Sequence, residues 1–310
     1  MNRMSKDEIF QCLKIVAPGT SLREGLENVL KAKTGGLIVL GDSPEVMKLV
    51  NGGFSIDCDF SPAALYELAK MDGAIVLNSE GKKILYANTQ LVPDASIPSS
   101  ETGIRHRTAE RVSRQTGELV ISISQRRNII TIYKGYSKYV LKDIGIILTK
   151  ANQALQTLAK YRSVFEKTLY NLSALEFDDT VTVADVAHVI QKNEMVIRII
   201  EEVERYVCEL GAEGRLVNMQ LDELASGIRD EELMIIMDYV PQEKIDQYEE
   251  KVRLLRNLSS EELIELTSIT KIMDMGSNLN VLDDTISTRG FRILNKIPRL
   301  PIAVIENLIN

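Results

Sequence analysis

Apolar and polar positions follow two different rhythms along the chain. Over the first 140 or so residues, short runs rich in Ile, Val and Leu alternate with amphipathic stretches. The runs at 36–40, 74–77, 83–86, 119–124 and 128–133 are bounded by Gly, Asn or Asp and predict strands. The stretches at 5–16, 21–33 and 61–71 have helical spacing. Ser21 and Ser61 stand where N-caps belong, and Pro62 follows at the first helical position. The last two strands face each other across Gln125-Arg126-Arg127, which predicts a hairpin. The implied fold is α/β, a mixed sheet flanked by helices, over residues 1–142.

After Asp143 the rhythm changes to steps of three and four. Apolar or near-apolar positions fall at 144, 148, 151, 155, 158, 165, 169 and 172, with Arg162 as the break. That is the seam of one long helix. Further helices are predicted at 183–210, 216–226, 230–239, 243–258 and 260–275, giving an all-helical domain over 143–286. Residues 287–310 carry a third pattern, a basic Arg289-Gly290-Phe291-Arg292 segment, two prolines and a short apolar helix. Twenty-odd residues bury no core of their own, so this stretch is expected to be the opening of a further domain.

Charge divides the chain further. The net formal charge is +6 over residues 1–171, −16 over 172–288 and +3 over 289–310. An anion site therefore belongs in the first part, and the middle part should repel phosphate backbones. No apolar run approaches the ~20 residues that span a bilayer, and the amphipathic N-terminus has no signal-peptide core. The three cysteines, Cys12, Cys58 and Cys208, form no CxxC pair. That argues against zinc and disulfides and for a reducing cytoplasm.

Three groups in the basic domain carry candidate chemistry. Ser99 to Arg111 is a small-residue loop opening a basic helix. Such an N-terminus favours an anion, and Arg105 and Arg107 add forked donors, Thr108 a hydroxyl and His106 an imidazole. The competing reading is a solvated helix face capped by Ser100 or Thr102. Asp72-Gly73-Ala74 is first of all a turn signal. As a site it offers an acid at a sheet edge, for a divalent cation or a hydroxyl proton, with Gly73 admitting close approach. The hairpin offers Ser124 and Arg127 to a phosphate, or is simply solvated. The strand end Tyr86 to Leu91 is core and edge, or a backbone that reads an adenine edge. No Walker loop, GxGxxG or HExxH is present.

Asp72-Gly73-Ala74, followed about thirty residues later by Arg105-His106-Arg107-Thr108, resembles the paired signature of diadenylate cyclases. Leu65 to Met71 before the first motif, Ala109 to Val112 after the second, and Gly290 to Pro301 are similar to the soluble branch of that family. The absence of N-terminal membrane helices points the same way.

The resemblance implies condensation of two ATP into cyclic di-AMP and two pyrophosphates, with Mg2+ or Mn2+, where two cyclase domains meet. It implies a homo-oligomer, an octamer in this branch, in the bacterial cytoplasm. It places metal binding and deprotonation of the ribose 3′-hydroxyl on Asp72, and backbone contacts to nucleotide on Gly73 and Leu91. Ile104, Arg105, His106, Arg107 and Thr108 would cradle the phosphates, with Ser124 and Arg127 completing them. Ile104 departs from what suits a phosphate and offers only its backbone N–H. The branch ends in a helix-hairpin-helix domain that binds branched DNA and associates with the nucleoid. Here that domain is expected to be truncated, and DNA binding weak. The alternative function is a non-catalytic scaffold that binds nucleotide or cyclic di-AMP or scans DNA. A third reading is a purely structural helical assembly.

Overall fold

The strand runs read from the sequence form the centre of one sheet in the computed structural model, which describes residues 6–241, 243 and 247–309, without the side chains of 6–10 and 306. The strands are β1 (Gly36–Leu40), β2 (Val50–Asn51), β3 (Phe54–Asp59), β4 (Ala74–Leu77), β5 (Lys83–Leu91), β6 (Leu119–Ser124), β7 (Ile129–Lys134) and β8 (Ser137–Val140). Their order is β2-β5-β4-β1-β6-β7-β8, with β3 also on β5. Among the described residues, only β1 and β4 pair in parallel, Ile38 opposite Ile75; the other pairs are antiparallel.

Strands β1 and β4 are buried at every position, because helices cover both faces of the sheet. Ile38, Leu40, Ile75, Leu77, Ile121 and Ile123 face one core with Leu26 and Val29 of α2 (Ser21–Lys31) and Leu65 of α4 (Pro62–Leu68). Cys12 and Leu13 of α1 (Lys6–Ile15) join it. Leu37, Val39, Ala74, Val76 and Val120 face the other, with Val46 of α3 (Pro44–Met47) and Ala109 and Val112 of α5 (Ile104–Thr116). Residue 5 of the expected first helix lies outside the described residues.

Capping at α2 differs from expectation. Ser61 accepts the Ala64 N–H as expected, but α2 is capped by Thr20, whose hydroxyl accepts from Arg23 N–H, and Ser21 is the first helical residue. α3, β2, β3 and β8 were not expected from the sequence, although Ser43-Pro44 opens α3 as Ser61-Pro62 opens α4. β3 alternates exposed and half-buried positions, and its pairing with β5 shifts register between Ser55 and Cys58, where Asp57 has φ 44°.

The chain forms two compact units, Met1–Lys150 with Arg205–Arg215, and Ala151–Glu204 with Leu216–Asn310. Residues 205–215 thus complete the first unit, beyond the expected boundary at 142. There the Tyr139 hydroxyl donates to Glu209 at 2.8 Å and Ala212 N–H to Pro18 O at 3.0 Å.

The helical seam is α6 (Ile144–Phe177), with Leu155, Leu158, Phe165 and Leu172 buried. Arg162 fits the seam by donating to Glu223 O at 2.6 Å. Then come α7 (Val183–Leu210), α8 (Arg215–Ala225), α9 (Ile228–Tyr239), α10 (Tyr248–Asn257), α11 (Ser260–Ile264), α12 (Leu266–Ile272), α13 (Phe291–Asn295) and α14 (Ile302–Ile309). Part of the expected start of α10, 244–246, lies outside the described residues. The helix expected over 260–275 is two, broken where Glu265 turns to ψ 109°. Residues 287–310 are no separate body: Phe291 and Ile305 pack with Met234 and Met237. Among the described residues, no helix is long and apolar enough to cross a membrane.

Candidate nucleotide site

Asp72 and Arg105, 33 residues apart, meet at the start of β4, which lies between β5 and β1, so the acid expected at a sheet edge stands instead at the end of an interior strand. Arg105 Nη2 donates to Asp72 Oδ1 at 2.9 Å, and the Asp72 side chain is fully exposed. The Asp72-Gly73 turn delivers the acid just before β4. Gly73 N–H donates to Asn88 Oδ1 at 3.2 Å. A Cβ on Gly73 would stand 2.3 Å from Asn88 C. The neighbour that needs Gly73 bare is therefore the backbone of β5, which bulges there with Asn88 at φ 51°. Leu91, the last residue of β5, lies at the same end of the sheet as the Asp72-Gly73 turn and is buried opposite Val50.

Arg105 is held from behind by a residue the sequence did not single out. A Cβ on Gly35 would lie 1.9 Å from Arg105 Nη1, so Gly35 makes room for the guanidinium beside the end of β6. No sequence signal marks this, since a turn glycine and a packing glycine look alike directly ahead of a strand.

Gly103 is the N-cap of α5, and no side chain caps the helix. Neither Ser100 nor Thr102 takes that place. Ser100 is held elsewhere: Glu110 accepts its N–H at 3.0 Å and the Ser99 hydroxyl at 2.5 Å. The uncapped start favours an anion over the solvated-face reading. Arg107 is exposed and spends its guanidinium on Glu101 O and Thr102 O, at 3.4 and 3.3 Å. Arg111 and Arg114 likewise bind Ile97 O and Pro98 O, at 2.8 and 2.5 Å. Much of the basic helix thus fastens the loop before it. Ile104 is 82% exposed, and Thr108 is half-buried. In the hairpin, Ser124 Oγ accepts Arg127 N–H at 3.2 Å, and Arg127 is exposed.

His106 points inwards, not towards solvent. The residue is 8% exposed, and Nδ1 lies 3.0 Å from the Tyr133 hydroxyl. That hydroxyl donates to Glu101 at 2.9 Å, and Glu101 also pairs with Lys138. Burial pushes the imidazole pKa down, and the Arg127, Lys138 and Arg105 charges push the same way against Glu101. Burial works against a charged Glu101, but the Lys138 contact and the Tyr133 hydrogen bond outweigh it and leave that carboxyl below the usual range. Burial and Glu101 push the Tyr133 hydroxyl far up. Glu101 and Tyr133 were not singled out in the sequence. The spacing of His106, Ala109, Val112 and Ser113, all buried, is the signal that places His106 on the inner face.

Among the described residues, no three His, Cys, Asp or Glu side chains gather as a metal nest. Asp72 is a lone, accessible oxygen donor, which suits a cation that also binds substrate phosphates.

Fold and site together define a nucleotide-binding domain of the diadenylate cyclase class. Residues 23–137 match the family described as DisA bacterial checkpoint controller nucleotide-binding, and 141–282 its linker region. The chain belongs to the DisA family. It is 58% identical over 306 residues to the DNA integrity scanning protein DisA of Carboxydothermus hydrogenoformans, covering 99% of this chain and 87% of that protein. It is 56% identical to the DisA of Clostridium botulinum strain Loch Maree, over 99% of this chain and 86% of that one. Among solved structures, DacA from Staphylococcus aureus covers 45% of this chain and 91% of its own, at 23% identity and a TM-score of 0.34.

Proposed function

We propose that this chain condenses two ATP into cyclic di-AMP and two pyrophosphates where two nucleotide domains face each other. The observation that carries the proposal is the 2.9 Å contact of Asp72 with Arg105, which joins the two signature motifs in one place.

With a triphosphate at the start of α5, Arg105 turns from Asp72 to the phosphate oxygens, for which its fork is the better match. Backbone N–H groups from Ile104 onwards, Thr108, Ser124 and Arg127 take the remaining oxygens, and the backbones of Gly73 and Leu91 hold the nucleoside. Arg107 and His106 support the cradle from its loop and from beneath. The freed Asp72 carboxylate accepts the proton of the ribose 3′-hydroxyl. The 3′-oxygen attacks the α-phosphorus of the opposing ATP, the bond to the β-phosphate breaks, and pyrophosphate leaves. Mg2+ or Mn2+ at Asp72 would neutralise phosphate charge and lower the cost of the attacking alkoxide.

One such site holds one ATP, and ring closure needs two reciprocal attacks. A two-fold pair of sites makes them equivalent. The full exposure of Asp72 and the 82% exposure of Ile104 suit a surface awaiting a second copy. The working assembly is then a homo-oligomer, with eight subunits as the expected count. Branched DNA is a weak partner for this chain. Of the four basic residues after 288, Arg289 binds Met237 O and Val240 O and Arg292 is buried against Glu176, which leaves Lys296 and Arg299 as the exposed ones. The setting is the bacterial cytoplasm, at the nucleoid where DNA is engaged.

The test is incubation with ATP and Mg2+ or Mn2+, with the product separated and weighed. Cyclic di-AMP is expected. Nucleotide binding without product would leave a binding scaffold in its place.

A further inference from the structure

His106 Nε2 is buried and has no hydrogen-bond partner. Buried polar atoms are rarely left so, and each such atom calls for a reason. On the other side of the ring the bonding is fixed. An ionised carboxylate only accepts, so the Tyr133 hydroxyl must give its one proton to Glu101. The hydroxyl oxygen is then an acceptor, and His106 Nδ1 must carry the hydrogen. In the neutral ring this leaves Nε2 bare. The ring lies by the start of α5, since a Cβ on Gly103 would stand 3.8 Å from its Cδ2.

We propose that Tyr133 and Glu101 are positioning residues that hold His106 as its Nδ1–H tautomer, and that nucleotide binding at the start of α5 is coupled to uptake of a proton on Nε2. The second half rests on the nucleotide site proposed above. Burial weighs most against a charged ring; of the charged groups acting on it, Glu101 opposes that effect and Arg127, Lys138 and Arg105 add to it. A triphosphate on Arg105 and Arg127 cancels the charge of two of them and adds its own negative charge. Both changes favour imidazolium. The proton comes from solvent. Nδ1–H still donates to Tyr133, Tyr133 to Glu101, and the new Nε2–H is a donor on the phosphate side. Because binding raises the affinity of His106 for a proton, the coupling strengthens nucleotide binding at low pH and is lost as pH rises through the bound-state value.

The chain has two histidines, and exposed His188 serves as the internal reference. In the free protein, imidazole nitrogen shifts of His106 should show a protonated Nδ1 and a bare Nε2; the opposite tautomer overturns the proposal. Calorimetric titration of the full chain with Mg2+ and α,β-methylene ATP, in buffers of different ionisation enthalpy, reads the protons exchanged. Uptake towards about one proton per bound nucleotide is expected. His106→Gln should bind with that uptake lost, and Tyr133→Phe, which keeps the core filled, should bind with it reduced. Binding without uptake in the wild type, or unchanged uptake in His106→Gln and Tyr133→Phe, overturns the coupling. No binding at all overturns the nucleotide reading instead.

Discussion

Replacing Asp72 by Asn removes the acid of the site and nothing the fold depends on, because the side chain is fully exposed. Turnover of ATP should be abolished while thermal unfolding stays at the wild-type temperature; an unchanged rate would take Asp72 out of the mechanism. Gly35→Ala is the complementary test from behind. The new methyl group meets the flexible end of Arg105, which can swing away, so the fold should survive. Losing one charged donor from the phosphates should lower kcat/KM by about ten- to a hundredfold, measured against unchanged unfolding. Neither the role of Gly35 nor the contact it supports was legible in the sequence. Asp72 and Arg105 each stood in a recognisable motif, but a contact across 33 residues is set by the sheet, not by spacing. His106 was legible as part of a basic motif, yet its flanking arginines drew attention outwards, whereas the apolar positions at 109 and 112 share its face.

At the scale of elements, β1 and β4 were legible to the residue because two covered faces demand unbroken apolar runs, and β6 because Ser122 and Ser124 alone interrupt its apolar residues. β3 and β8 were not, because edge strands with half-buried alternation carry polar residues that read as loop. The loop before α5 was legible as a small-residue loop, but what holds it was not: side chains from the following helix do. Glu110 is the main latch, bonding Ser99, Ser100 and Arg114. Glu110→Ala should cost about 1 kcal/mol, as half-buried and exposed donors lose a protein partner but can turn to water. It should also speed amide hydrogen exchange over 97–103 and weaken nucleotide binding. Exchange unchanged in that loop would show that the arginine contacts suffice alone.

At the scale of the whole molecule, the all-helical character of the second half followed from the three-four spacing, but its division did not. The last turn of α7 and residues up to Arg215 belong with the sheet, where Leu210 is fully buried. A fragment ending at residue 142 or 150 should therefore unfold at a lower temperature than the same domain within the full chain, a comparison calorimetry makes directly. In the helical unit, Arg292 and Glu176 form an almost wholly buried pair, with Tyr239 donating to the same carboxylate. Arg292→Met strands that carboxylate and should cost about 3–5 kcal/mol. The loss should appear in the unfolding of the helical unit, with ATP binding at the nucleotide site retained.

The backbone of β5 lies so close to Gly73 that no side chain fits between them. Position 73 is therefore closed to every other amino acid on folding grounds alone, whereas position 72 is open to many. In a saturation library sorted only for soluble, folded protein, Gly73 should be the sole survivor at its position while Asp72 drifts freely. Sorted for product, both should be fixed. An invariant glycine beside an invariant acid would then be two records of different pressures, one kept by geometry and one by chemistry.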